Sequence, residues 1–403
     1  MQIGIIGAGA AGLVAAIRAH QMGATVHLFD ANTDPGRKLR ATGSGRCNIS
    51  NREAKAASYF SDDRKSLQHC FERLPVNTVL AYLASLGIPT TSSEDGWIYP
   101  LSYSAANVVG ILQDHISGIE LTPNALITRI QKTKSAFLVS TAEKTFTPAF
   151  DALIIACGSP ANPQLGARDA LSSPIRELGH SFIDIRPALT PLETDSRTFH
   201  KLQGVRLDVE IELFHHSNSI IRNTGNIIFT KWGLNGPGVM DVSHLISAQD
   251  VASYSLRIDF LPHHHQDLKN NLIDEKRAEL TLLSQLNAFL PDKASNFLLQ
   301  QANLKPASIS RDLSTEQRAR LLKTIQNQNV SVRGVRGFQH AQASSGGVPL
   351  AEIKPDSMES RICSRLFFAG EIVNVLGPCG GYNLHWALLS GLIAAEGALL
   401  PSK

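Results

Sequence analysis

The sequence predicts an α/β fold: a parallel-sheet domain built from both ends of the chain, with a β-rich domain inserted between them. Three observations predict it. Residues 3–30 run as apolar strand, glycine turn, helix, second strand and acid. Residues 365–399 repeat the order strand, glycine loop, helix. From about Pro187 the apolar pattern switches to two-residue alternation, the period of half-buried antiparallel strands. At roughly 100–200 residues per domain, 403 residues fit two or three domains.

The first element, Ile3 to Ile6, is a short apolar run that suits a buried parallel strand. It enters Gly7-Ala8-Gly9-Ala10-Ala11-Gly12, a full GxGxxG, and then a small-residue helix that stops at Gly23. The strand Thr25 to Phe29 follows and ends in Asp30, eighteen residues after Gly12. Gly7 permits the tight turn, Gly9 lets the backbone approach a pyrophosphate, and Gly12 allows helix and strand to pack closely. The helix N-terminus offers unpaired N–H groups to phosphate, and Asp30 offers a carboxylate to a ribose diol. Such a unit binds a dinucleotide; it does not by itself separate NAD from FAD.

The next segment, Gly36 to Asn51, interleaves Arg37, Lys38, Arg40 and Arg46 with glycines and a Cys47-Asn48 pair. Such a loop can lie along a phosphate and present N–H groups to a polar ring edge. Near the other end, Arg365 to Glu371 reads as a strand ending in Gly-Glu, then Gly377-Pro378-Cys379-Gly380-Gly381-Tyr382-Asn383, then a helix from about Leu384 to Leu399. Two glycine-rich sites converging on one ligand fit a long cofactor, and a helix N-terminus beside a reduced flavin would stabilise its negative charge.

In the middle, residues 55–120 read mainly as helices, with Phe71 to Leu86 as one of them, ending at Gly87. Phe137–Ser140 and Asp151–Cys157 read as strands. Val205–Phe214, Ile227–Phe229, Tyr254–Leu261 and Val330–Val335 read as strands of the inserted domain, with helices over Leu268–Leu290 and Leu313–Gln326.

Composition narrows the function classes. Lys+Arg minus Asp+Glu is 38 − 35 = +3, too weak a balance for a dedicated nucleic-acid binder. The five cysteines are widely spaced with no CxxC, which fits a reducing cytoplasm and no zinc or disulfide framework. The N-terminus lacks the positive region of a signal peptide, and no run of 18 apolar residues occurs, so the expectation is a soluble cytoplasmic protein without membrane contact. His263-His264-His265 and His215-His216 read as solvated loops rather than metal sites, because adjacent histidines share no helix face and no partner cluster is visible. Cys47 reads as flavin packing or ordinary burial rather than a redox disulfide.

The blocks Gly7–Gly12, TGSGRCNISN at Thr42–Asn51, FTKWGLNGPG at Phe229–Gly238, SGGV at Ser345–Val348, Met358-Glu359-Ser360, and LFFAGEIVNVLGPCGGYNLHWALLS at Leu366–Ser390 resemble the bacterial YhiN/BaiN-type conserved flavoproteins. Members of that family carry names such as NAD(P)/FAD-dependent oxidoreductase, aminoacetone-oxidase-like enzyme and dehydro-bile-acid reductase. The resemblance implies a glutathione-reductase-like FAD-binding Rossmann domain with an inserted β-barrel-like domain and a small helical subdomain. It implies residues 1–187 and 343–403 as the FAD domain, 188–263 and 329–342 as the inserted domain, and 264–328 as the helical part.

Carried over by position, it puts Gly7, Gly9, Ala10, Ala11 and Gly12 at the pyrophosphate and Asp30 at the adenosine ribose. Lys38, Thr42, Gly43, Arg46, Cys47 and Asn48 would line the flavin region. Gly370 and Glu371 would lie near the ribitol and pyrophosphate, and Gly380, Gly381, Asn383 and Leu384 near the pyrimidine edge. The chain departs from the family at Ser44, Pro378, His385 and Ala156-Cys157-Gly158-Ser159, where the family usually has Gly, an acid, Gln and ATGG.

The expected activity is NAD(P)H-dependent reduction of an electron-poor, enone-like C=C in a small molecule, by hydride transfer through flavin N5. With no second GxGxxG, NAD(P)H would dock transiently. His385 or Tyr99 is the expected proton donor. The alternatives are an O₂-dependent oxidase of a small amine or ketone, and a non-catalytic flavin-binding redox sensor. A tRNA-modifying flavoenzyme is a further reading, which the +3 charge does not encourage.

Overall fold

The computed structural model describes residues 1–195, 199–274 and 279–400. These form two compact units: Met1–Pro187 with Ala341–Lys403, and Ala188–His340.

The first unit is built on a five-stranded, all-parallel sheet in the order Leu366–Phe368, Ala152–Ile155, Gln2–Ile6, Thr25–Phe29, Glu120–Thr122. The inner strands are apolar because both faces are covered, and Ile3, Ile5, Leu28, Ile154 and Phe368 are wholly buried. Helix Ala10–Gln21 packs on the C-terminal helix Tyr382–Leu399. Small residues allow the approach: a Cβ on Gly391 would overlap the Ala11 carbonyl. The C-terminal helix is apolar on nearly all sides because it is buried on nearly all sides. Among the described residues, no helix is long and apolar enough to cross a membrane.

The region read as mainly helical is more mixed. Helices Arg64–Arg73, Val76–Ser85 and Ala105–His115 alternate with a small antiparallel sheet, Ser50–Asn51, Trp97–Pro100 and Thr90–Ser92. The single helix expected over Phe71–Leu86 is two, broken at Leu74-Pro75. Leu74 takes φ −127°, ψ 83°, because the residue before a proline is pushed out of the α region. The long helix expected over Leu268–Leu290 is likewise His265–Ile273 and Leu282–Leu286, with residues 275–278 between them outside the description.

The second unit is a closed six-stranded antiparallel barrel. Its order is Leu192–Thr194, Gly233–Asn235, Asn218–Phe229, Arg206–His215, Tyr254–Asp259, Gln328–Val335, closed by pairing of the last strand with the first. The alternation read in the sequence is its inside and outside: Val209, Ile211, Leu213, Leu256 and Ile258 are wholly buried. Helices His265–Ile273, Leu282–Leu286, Asp292–Gln301 and Thr315–Gln326 pack around the same core.

Candidate cofactor and active site

The GxGxxG turn joins the first strand to the first helix. Gly7 has φ +104°, and a Cβ there would overlap Ala156 O; a Cβ on Gly12 would overlap Gly7 O. Both glycines are therefore required by the packing of the turn itself. Gly9 differs: φ is −79°, and an added Cβ would meet nothing within 4 Å. No side chain caps the helix at Gly9, so its first-turn N–H groups face an open approach, the arrangement an anion needs. Ala10 is half-buried, and Ala11 is buried against the C-terminal helix. Asp30 is pinned to the same turn: Oδ2 accepts from Ala8 N–H (2.6 Å), and Oδ1 accepts from Asn32 N–H (2.7 Å).

The two glycine-rich segments, more than 300 residues apart in sequence, meet. Lys38 Nζ pairs with Glu371 Oε2 at 2.8 Å, and Glu371 Oε1 accepts from Ser344 N–H at 2.7 Å. Asn51 Nδ2 donates to Gly380 O (3.1 Å). Asn48 is buried; with its amide oriented so that both ends find partners, it donates to Ser50 O (2.9 Å) and Ile98 O (3.1 Å) and accepts from Gly381 N–H (3.3 Å). Gly381 has φ +94°, and a Cβ there would overlap Ser50 O. Asn383 braces the loop it follows, accepting from Gly377 N–H (2.9 Å) and donating to Gly377 O (2.8 Å). Gly370, at φ +75°, donates its N–H to Ser390 Oγ (2.8 Å). Asn48, Asn383 and Gly370 thus shape the loops and hold the start of the C-terminal helix in place. No side chain caps that helix either, and Leu384 is half-buried in its first turn.

Thr42 Oγ1 donates to Leu39 O (2.7 Å), and the loop after it is strained: Gly43, Ser44, Gly45 and Cys47 all have positive φ. Ser44, at φ 54°, occupies a left-handed position where glycine is at ease. Cys47 is wholly buried, and burial pushes its thiol up to about 11, so it stays protonated and unreactive near neutral pH.

His385 is drawn into the core. It is wholly buried; Nδ1 shares a hydrogen bond with Ser50 Oγ (2.9 Å), and the ring packs 5.8 Å from Phe71. Burial pushes its pKa down to about 4, so it is neutral near pH 7. The Ser50 contact ties this imidazole to the strand Ser50–Asn51 from the first turn of the C-terminal helix. Tyr99 remains a candidate. It is buried, burial raises its pKa, and Arg46 lies over its ring at 5.5 Å.

The sequence reading missed what surrounds Tyr99. Trp97, Tyr99 and Tyr103 form a row with centroid spacings of 6.5 and 5.3 Å. Trp97 packs on the glycine loop, where a Cβ on Gly380 would stand 3.1 Å from the indole nitrogen. Tyr103, at φ 47°, and Leu101 are exposed, 46% and 58%. Part of the signal was present in the sequence: Trp97 and Tyr99 alternate on the short strand Trp97–Pro100 and so share one face.

Comparisons with known proteins agree with this architecture. A profile described as the HI0933-like protein Rossmann domain matches residues 1–397. A 3-dehydro-bile acid delta(4,6)-reductase of Clostridium scindens is 30% identical, over 98% of this chain and 98% of its own. Ribosomal RNA dihydrouridine synthases of Escherichia coli and Haemophilus influenzae are 26% and 27% identical, each over 97% of this chain and 96% of its own. Among solved structures, a 3-ketosteroid-delta4-(5alpha)-dehydrogenase from Rhodococcus jostii aligns with a TM-score of 0.50 at 12% identity, over 98% of this chain and 96% of that one, a likeness of fold.

Proposed function

Because the chain belongs to the HI0933-like Rossmann-domain family, we propose that it is an FAD-dependent reductase of C=C bonds conjugated with a carbonyl group. The observation that carries this reading is the meeting of the Gly36–Asn51 and Gly377–Asn383 segments beside an uncapped Rossmann helix. The residues fit the cofactor: Gly7 and Gly12 keep the turn tight, Gly9 leaves it open, and neither the first helix nor the C-terminal helix has a side-chain cap at its N-terminus. Gly9 to Gly12 would hold the pyrophosphate, Asp30 the adenosine ribose, Lys38 with Glu371 the ribityl side, and Gly380 and Gly381 the pyrimidine edge. When bound, FAD would pass hydride from NADH or NADPH to the β-carbon of the acceptor.

The chain's own work is orientation and proton supply. Hydride addition to a conjugated C=C leaves negative charge on the carbonyl side, and one proton completes the reduction. The Tyr99 phenol, which carries its proton near neutral pH and packs under Arg46, is the group we assign to deliver it. The aromatic row offers a flat platform for a planar acceptor.

The relatives' names support this chemistry. A delta(4,6)-reductase of a 3-dehydro-bile acid and a dihydrouridine synthase both describe saturation of a C=C conjugated with a carbonyl. A small enone-like acceptor is the reading we favour, since the bile-acid relative has the higher identity. A uracil base in RNA is the second reading, favoured by the two dihydrouridine synthases.

The test is anaerobic stopped-flow of the purified protein. NADH or NADPH should bleach bound FAD, and an enone panel should restore the oxidised spectrum faster than buffer. Restoration only by O₂ would replace the reductase with an oxidase. Restoration only by uracil-containing RNA would select the second reading. No bleaching by either nicotinamide would refute NAD(P)H as the donor.

A further inference from the structure

The tip of the longest hairpin of the barrel has an unusual sequence. Strands Arg206–His215 and Asn218–Phe229 are joined by a two-residue turn, His216-Ser217, with φ of 47° and 69°. Turns of this mirror-image kind favour Asn-Gly, because both central residues take positive φ. A histidine and a serine there hold conformations that disfavour them by roughly 1–2 kcal/mol each. The turn has a geometric consequence. Successive side chains of a strand point to opposite faces, yet here both imidazoles converge on one carboxylate. His215 Nε2 lies 2.9 Å and His216 Nε2 3.4 Å from Asp250 Oδ2. The three ligand atoms all lie within 4.8 Å of one another.

The surroundings orient the group. His215 stacks on Tyr254, its partner across the sheet, with centroids 4.5 Å apart and planes at 20°. Ser253 Oγ donates to the same Asp250 oxygen (2.7 Å), and His216 N–H donates to Ser253 O (3.1 Å). These contacts hold Asp250, the His215 ring and the hairpin turn in place. With metal–nitrogen and metal–oxygen bonds of about 2.0–2.2 Å, tetrahedral ligands stand about 3.4 Å apart, close to the spacings seen here.

We propose that His215, His216 and Asp250 form a binding site for one divalent transition-metal ion of the zinc class, with water completing the coordination. Two imidazoles and a carboxylate suit Zn²⁺, Co²⁺ or Ni²⁺ and not Mg²⁺ or Ca²⁺, which take oxygen ligands. The ion would join the hairpin tip to the Ala248–Ser253 segment, so its role is a clamp within the barrel unit, separate from redox chemistry.

The experiment uses the full chain without a polyhistidine tag, treated with chelator and titrated with Co²⁺ and then Zn²⁺ at pH 7.5. One ion per chain should bind with micromolar affinity, and the Co²⁺ should show the visible bands of an N/O site. His216→Asn is the decisive variant, because Asn tolerates positive φ while removing the ligand. It should weaken binding at least 20-fold, melt no lower than wild type without metal, and lose the rise in Tm that Zn²⁺ gives wild type. Asp250→Asn should weaken binding similarly. A triple alanine variant at His263, His264 and His265 should bind as wild type does. The proposal is overturned if no ion binds below 100 µM added metal, a threshold set about a hundredfold above micromolar affinity. It is equally overturned if His216→Asn binds unchanged, or if the triple variant alone loses binding.

Discussion

Substituting Gly9 by alanine separates the two roles that glycines play in the dinucleotide turn. The backbone at Gly9, φ −79° and ψ −170°, is open to any residue, and an added Cβ meets nothing within 4 Å. Alanine is slightly worse than glycine at a helix N-cap, while loss of glycine's unfolded-state freedom contributes about 0.4–1 kcal/mol the other way. The two effects nearly offset, so apo-protein stability should change by less than about 1 kcal/mol, or about 4 °C in Tm for a unit of this size. Cofactor affinity should behave differently. A methyl group between the helix N-terminus and a pyrophosphate would break about two charge-assisted N–H hydrogen bonds of about 1.5–3 kcal/mol each. That is about 3–6 kcal/mol, or a loss of about 10²–10⁴-fold in FAD affinity. Gly12→Ala is the contrast: its Cβ would overlap Gly7 O, so this variant should fail to fold with or without FAD. Thermal melts of apo protein and FAD titration by fluorescence quenching read the two quantities. An FAD Kd for Gly9→Ala within threefold of wild type would refute the placement of the pyrophosphate.

Tyr99→Phe should leave bleaching by NAD(P)H within twofold while slowing acceptor reduction by about 10²–10⁴, the usual worth of a positioned general acid; equal acceptor rates would remove Tyr99 from the mechanism. His385, with its pKa lowered from 6.5 to about 4, contributes stability that is complete above pH 6.5 and is lost as pH falls through 4, by about 3 kcal/mol. His385→Gln should therefore flatten the acid limb of unfolding free energy against pH, measured by urea titration from pH 7 to 4, and an unchanged limb would contradict the assignment. Ser44→Gly, relieving a left-handed serine at φ 54°, should raise stability by about 0.5–1 kcal/mol, and a lower Tm would show that the serine hydroxyl has a role of its own.

The frame of the fold was legible because its signals are local. The GxGxxG turn, the apolar strands and the alternation of the barrel strands each declare themselves within a dozen residues. The helix break at Leu74-Pro75 was missed, because apolar spacing continues across the proline. What the sequence did not reveal is how a loop uses its own polar atoms. Asn48 and Asn383 are the amides one would assign to a flavin, yet their hydrogen bonds close the two glycine loops. His385 follows the helix start by a few residues, and only its rotation toward Ser50 and Phe71 puts it in the core. The approach of Asp250 to His215 and His216 depends on barrel register across 35 residues, which no local pattern encodes.

The strand Leu366–Phe368 closes one edge of the parallel sheet, beside Ala152–Ile155, and the C-terminal helix covers the first helix. On a ribosome adding about 5–20 residues per second, the dinucleotide turn emerges roughly 20–70 s before the segment that completes its domain. The barrel unit, contiguous from Ala188 to His340 and with a core of its own, can be finished in that interval. The dinucleotide turn therefore waits, half-built, until the strand Leu366–Phe368 and the helix Tyr382–Leu399 have been made.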